Sequence, residues 1–101
     1  MDKILVVDDE VETCNLLSEF LTRKNYDVSI ARNGQEAISK IETNKPQVVL
    51  LDIRMPGMDG IEALRRIKEA HNDIDVIMIT AINEEETGRK AIELGAYDYI
   101  T

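Results

Sequence analysis

Val48-Val49-Leu50-Leu51-Asp52 is the stretch on which the rest of the chain depends. Four consecutive apolar residues predict a strand buried on both faces, the habit of a parallel sheet enclosed by helices. A charge ends the run. In open α/β sheets ligands bind at the carboxyl ends of the strands, so Asp52 is the first residue to be asked for chemistry.

The same grammar recurs on either side. Lys3-Ile4-Leu5-Val6-Val7 is a second apolar strand, and it ends in Asp8-Asp9-Glu10. Between them, Leu17, Phe20 and Leu21 recur at helical spacing over residues 11–24, with Cys14 and Leu16 at the edges of the stripe. Asn25 is a left-handed stop for that helix. Tyr26 to Ala31 alternates like a half-exposed edge strand. Asn33 with Glu36 opens a second helix that buries Ala37, Ile38 and Ile41, and Pro46 closes the loop leading to Asp52.

Beyond Asp52, residues 53–60 (Ile-Arg-Met-Pro-Gly-Met-Asp-Gly) carry the proline and glycines of a tight loop. Asp59 with Glu62 starts a third helix, whose inward residues are Ile61, Leu64 and Ile67. Asp75 to Thr80 is a fourth strand ending on a hydroxyl. Asn83 with Glu86 starts a fourth helix, Gly95 stops it, and a fifth strand begins at Ala96. Strand and helix alternate with short connections, which predicts a doubly wound parallel sheet. Right-handed crossovers place Asp8, Asp9, Asp52 and Thr80 on one edge of it.

Composition narrows the function. The chain has 101 residues, enough for one domain with one core, and 44% of them are apolar. Twenty acidic against twelve basic residues give a net charge of −8, which repels nucleic acid and anionic lipid. No apolar run reaches the roughly 20 residues of a membrane span. A single cysteine, with no signal peptide in view, points to a reducing cytoplasm.

Acids crowded at one edge repel one another unless a cation joins them. Mg²⁺ takes oxygen ligands, keeps waters and binds phosphate oxygens, so phosphoryl chemistry suits such a cluster. Asp52 is then either a metal ligand or a nucleophile that forms an aspartyl phosphate. An acid pair after one strand is ordinarily a turn or helix cap. Capping does not account for Asp52, which is followed by a loop.

These stretches together resemble the receiver domain of two-component response regulators, the CheY-like family. The matching residues are Ile4 to Glu10, Val48 to Gly60, Met78 to Ala81 and Gly95 to Thr101, in order and spacing over the whole chain. The resemblance implies a flavodoxin-like strand order 2-1-3-4-5. It implies that Asp52 is the phosphoacceptor, taking a phosphoryl group from a phosphohistidine of a sensor kinase. Asp8 and Asp9 with Asp52 would form the Mg²⁺ site, completed by the backbone carbonyl of Arg54. Thr80 would be the switch hydroxyl and Tyr99 the switch aromatic, while Arg54 and Ile82 would tune the lifetime of the phosphorylated state. The partners implied are a histidine kinase or phosphotransfer protein and an output domain. The chain would be a self-phosphorylating switch rather than a turnover enzyme.

One departure accompanies the match. The family places a lysine directly after the position of Thr101, then a proline and a fifth helix, and Lys90 stands on the wrong element to replace that lysine. Residues 1–101 are therefore expected to be a receiver incomplete at its carboxyl end and lacking the fifth helix. Such a chain should phosphorylate poorly, and should oligomerise or swap elements unless the missing part is supplied.

Other residues carry plainer expectations. His71 is expected as a solvated helix-terminal residue, Cys14 as a packing or surface residue, and Met55 and Met58 as packing beside a turn. Glu84-Glu85-Glu86 should satisfy the positive end of the fourth helix. Leu16 is expected at the edge of the core or, on the exposed side of the first helix, where the family docks its kinase. Two other functions compete with the switch. A phosphatase-like hydrolase would need an acid two residues after Asp52, where Arg54 stands, and an interaction module would hold the fold without phosphorylation.

Overall fold

The computed structural model describes residues 2–52, 59–79 and 85–100, with the side chains of residues 85–87 and 99 excepted. The elements alternate as anticipated: β1 (Lys3–Val7), α1 (Val11–Arg23), β2 (Asp27–Ala31), α2 (Gly34–Thr43), β3 (Val48–Leu51), α3 (Gly60–Ala70), β4 (Asp75–Ile79), α4 (Glu85–Glu93) and β5 (Asp98–Ile100). All pairings are parallel, in the order β2-β1-β3-β4-β5. Apolar β1 and β3 thus lie inside the sheet, and the more polar β2 lies at its edge.

The pleat sends alternate residues to two faces. On one face Leu5, Val7, Val49, Leu51, Val76 and Met78 pack against Ala37, Ile41, Ala63, Leu64 and Ile67 of α2 and α3, and Ala91 of α4 joins the same cluster. On the other, Ile4 and Val6 meet Cys14, Leu17 and Leu21 of α1, while Val48 and Leu50 are half-buried. The two-sided burial expected of β3 is therefore complete on one face only. Among the described residues α1 is the one helix packed on the second face, and it does not reach across all the strands.

The apolar stripe of α1 also needs correcting. Cys14, Leu17 and Leu21 form the inner face, whereas Phe20 is 56% exposed and Leu16 70% exposed. Phe20 instead lies under the Lys24 ammonium, 5.6 Å from its ring centre.

Local signals hold up where they rest on backbone chemistry. Asn33 accepts from the Glu36 N–H at 2.8 Å and Asp59 from the Glu62 N–H at 2.9 Å. The Glu62 carboxylate does not complete a capping box. It takes Arg65 and Arg66 instead, and those two guanidinium groups hold its pKa down to about 2.

Helices α1 and α4 end identically. Asn25 at φ 70° and Gly95 at φ 105° each sit just past the last turn. The next N–H returns to the carbonyl five residues back, Tyr26 to Leu21 and Ala96 to Ala91, as the Schellman motif requires. Gly95→Ala is therefore expected to cost about 1–2 kcal/mol, because an L side chain is strained at this φ. An added Cβ would also lie 3.1 Å from Lys68 Cε, and that side chain cannot easily yield because its Nζ donates to the Asn72 and Ile74 carbonyls. A melting temperature equal to that of the wild type would contradict this.

Candidate functional site

The acids converge because the sheet brings their strands side by side. Val7 pairs with Leu51 in the β1–β3 ladder, and the Asp52 N–H donates to the Val7 carbonyl at 3.0 Å, one bond beyond the paired residues. On the other side of β1 the Asp8 N–H donates to the Ala31 carbonyl at 3.1 Å. Asp8 and Asp52 therefore leave adjacent strand ends in a fixed register. One carboxylate oxygen from each of Asp8, Asp9 and Asp52 lies within 4.8 Å of the others. Asp8 and Asp52 are half-buried and Asp9 is exposed, so the cluster is open to water on one side.

The turn between β1 and α1 is tied down from several directions. Asp8 Oδ1 accepts the Glu10 N–H at 3.0 Å, an Asx-type closure. From α1, the Cys14 thiol lies 3.2 Å from the Asp8 carbonyl oxygen and donates to it. Burial, and after it the charge of Asp8, push the Cys14 pKa up, which keeps the thiol protonated as a donor. Asp59, the first described residue after Asp52, caps α3.

Such a donor set is hard, anionic and all-oxygen. It could hold a divalent cation that keeps part of its water shell, and Mg²⁺ fits that description. Among the described residues three carboxylates are gathered, fewer ligands than a closed cage needs.

The structure brings three of the residues proposed from sequence together and leaves others open. Tyr99 lies in β5, paired with Met78 of β4 in register. Arg54, Thr80, Ile82, Asn83 and Glu84 lie outside the described residues, as do Met55 and Met58. His71 is far from the acids in the fold. It caps the end of α3, before β4, and Nε2 of its half-buried ring meets Glu42 Oε1 of α2 at 3.1 Å. With the Lys45–Asp73 pair at 2.6 Å, it fastens the connections at the amino ends of β3 and β4. A cavity of about 440 Å³, lined by Lys3, Ser29, Ser39 and Lys40 among others, also opens toward the start of β1 rather than toward the acids.

The sequence leaves Cys14 as either a packing or a surface residue and carries no sign of its bond to Asp8; the structure buries it. No local pattern signals a contact between a helix side chain and the carbonyl six residues earlier across a turn.

Comparison with known proteins agrees with this geometry. The family model described as the response regulator receiver domain matches residues 4–101. The transcriptional regulatory protein ResD of Bacillus subtilis is 48% identical over 99 residues, covering 97% of this chain and 40% of ResD. The alkaline phosphatase synthesis transcriptional regulatory protein PhoP of Bacillus subtilis is 43% identical over 99 residues, covering 98% of this chain and 41% of PhoP. The chain thus spans about two fifths of the length of these relatives. Among solved structures, the response regulator TrrA of Thermotoga maritima, in complex with Mg(2+)-BeF, superposes with a TM-score of 0.91 at 35% identity, covering 100% of this chain and 86% of TrrA. With the parallel order β2-β1-β3-β4-β5 and three acids at the ends of β1 and β3, the chain belongs to the response regulator receiver domain family.

Proposed function

We propose that this domain is a phosphorylation-controlled switch whose acceptor is Asp52. The observation that carries the reading is the approach of the Asp8, Asp9 and Asp52 carboxylates to within 4.8 Å at the carboxyl end of the central strands. In this reading a carboxylate oxygen of Asp52 attacks the phosphorus of a phosphohistidine on a sensor kinase. A P–O bond forms, the P–N bond breaks and the imidazole leaves with the electron pair. Asp8 and Asp9, together with Asp52, would hold Mg²⁺, and the Arg54 carbonyl is proposed as a further ligand. The cation supplies charge to offset the phosphoryl oxygens. Thr80 and Tyr99 are the residues proposed to register the new phosphoryl group and pass the change to an output domain.

The test is a titration with beryllofluoride and Mg²⁺, followed by amide chemical shifts. The switch reading requires shifts at Asp9, Asp52 and the ends of β4 and β5. An interaction module that merely keeps the fold would not respond. Cytoplasmic location and the lack of catalytic turnover belong to the same proposal. Among the described residues no helix is long and apolar enough to cross a membrane.

The kinase is proposed to dock on the outer face of α1. Leu16 and Phe20 are 70% and 56% exposed there, on the helix that follows directly after the acids. Leu16→Ala should change stability by no more than about 0.5 kcal/mol, because the side chain is mostly in water already. It should slow phosphotransfer about fivefold or more from a histidine kinase that phosphorylates the wild type, as truncation of an interface anchor does. Labelling by acetyl phosphate, which needs no docking, should be unaffected. Equal loss with both donors would remove α1 as the docking face.

A further inference from the structure

Cys14 stands in the first turns of α1 and is 1% exposed, seated against Ile4 and Val6 of β1. Its thiol reaches back to the carbonyl of Asp8 at 3.2 Å. That oxygen belongs to the peptide plane joining Asp8 to Asp9, and a peptide plane is rigid. Fixing the oxygen therefore fixes where the Asp9 nitrogen and Cα lie, and leaves rotation about the Asp9 N–Cα bond as the remaining backbone freedom that aims its side chain. The other ties on this turn use backbone donors: Asp8 N–H to Ala31, Glu10 N–H to Asp8 Oδ1 across Asp9, and Cys14 N–H to the Glu10 carbonyl, and none of them engages the Asp8–Asp9 peptide itself. Among the described residues, Cys14 provides the one hydrogen bond from a helix side chain to the segment carrying both acids.

We propose that Cys14 is a positioning residue for the cation site: its S–H holds the Asp8–Asp9 peptide so that both carboxylates point at the place they share with Asp52. This rests on the reading of those acids as a Mg²⁺ site. Partners that orient metal ligands are commonly worth ten- to a hundredfold in affinity, and a thiol is a weak donor. A loss of about three- to tenfold is therefore expected when the donor is removed.

The experiment titrates MgCl₂ into the wild type and three variants, Cys14→Ser, Cys14→Ala and Cys14→Val, following the amide signals of Asp9 and Glu10, with a thermal melt of each. Serine keeps a donor, whereas alanine and valine do not. Serine and alanine are both small, whereas valine fills the site. If Cys14 positions the acids, Mg²⁺ affinity groups serine with the wild type and alanine with valine, even where the melting temperatures group differently. If Cys14 only packs, affinity follows volume or does not change, and the proposal fails. Should the wild type itself show no Mg²⁺-dependent shifts at Asp9 and Glu10, the cation-site reading fails first and takes this inference with it. Wild-type binding matched by the alanine and valine variants overturns the role of Cys14 alone.

Discussion

Asp52→Asn is expected to abolish stable phosphoryl labelling: with acetyl phosphate and Mg²⁺, intact-mass spectrometry should find the phosphoryl adduct, even as a minor species, on the wild type and none on the variant. The change is nearly isosteric and leaves the backbone bond from the Asp52 N–H to the Val7 carbonyl in place, so β3 keeps its register. What goes is the anionic oxygen that attacks phosphorus, and an amide is no nucleophile for this step. The variant should also bind Mg²⁺ more weakly, since one of three clustered carboxylates has become neutral. Asp9→Asn is the informative partner. It retains the acceptor and loses a cation ligand, so labelling should fall and be partly restored by excess Mg²⁺. Undiminished labelling of Asp52→Asn would mean that another acid is the acceptor, and the exposed Asp9 would be examined next.

The largest expected effect on stability comes from Leu64→Ala. Leu64 is 0% exposed in α3 and belongs to the main core with Leu51, Ile67, Val76 and Met78. Truncating a fully buried leucine removes transfer energy and leaves a cavity that neighbours fill only in part, at a cost of about 3 kcal/mol within a range of roughly 2–5. Against a total of about 5–15 kcal/mol, that is a large share. At roughly 4–8 °C per kcal/mol for a domain of this size, the melting temperature should fall by about 12–24 °C. Circular dichroism melts of Leu64→Ala and Leu16→Ala side by side test whether the two faces are assigned correctly. A shift of similar size in both would show that they are not. Because the acids hang from β1 and β3, Leu64→Ala should retain Mg²⁺-dependent labelling below its melting transition.

Much of this protein was legible before any coordinates. Alternating apolar runs and amphipathic helices specify strand and helix, because each must bury one side chain pattern and no other. Caps and stops were equally plain. Asn33, Asp59, Asn25 and Gly95 act through their own backbone and the next few residues, so their effect is encoded locally. The acids at the ends of two strands could be named as candidates for the same reason.

The sequence placed those acids on one edge of the sheet; only the tertiary structure decided how closely they approach and what else touches them. Periodicity marks an apolar stripe but not the boundary of the surface that covers it, so Phe20 was expected inside and lies 56% exposed. The His71–Glu42 contact joins α3 to α2, and the Cys14 thiol finds a carbonyl across the turn. Neither partner can be read from the residue that makes the contact. The decisive case is the 4.8 Å approach of Asp8, Asp9 and Asp52, which requires β1 and β3 to be hydrogen-bonded neighbours although α1, β2 and α2 separate them along the chain. Strand composition states that each segment is a strand. Which strands lie side by side follows from the packing of helices on both faces, a property of the whole chain.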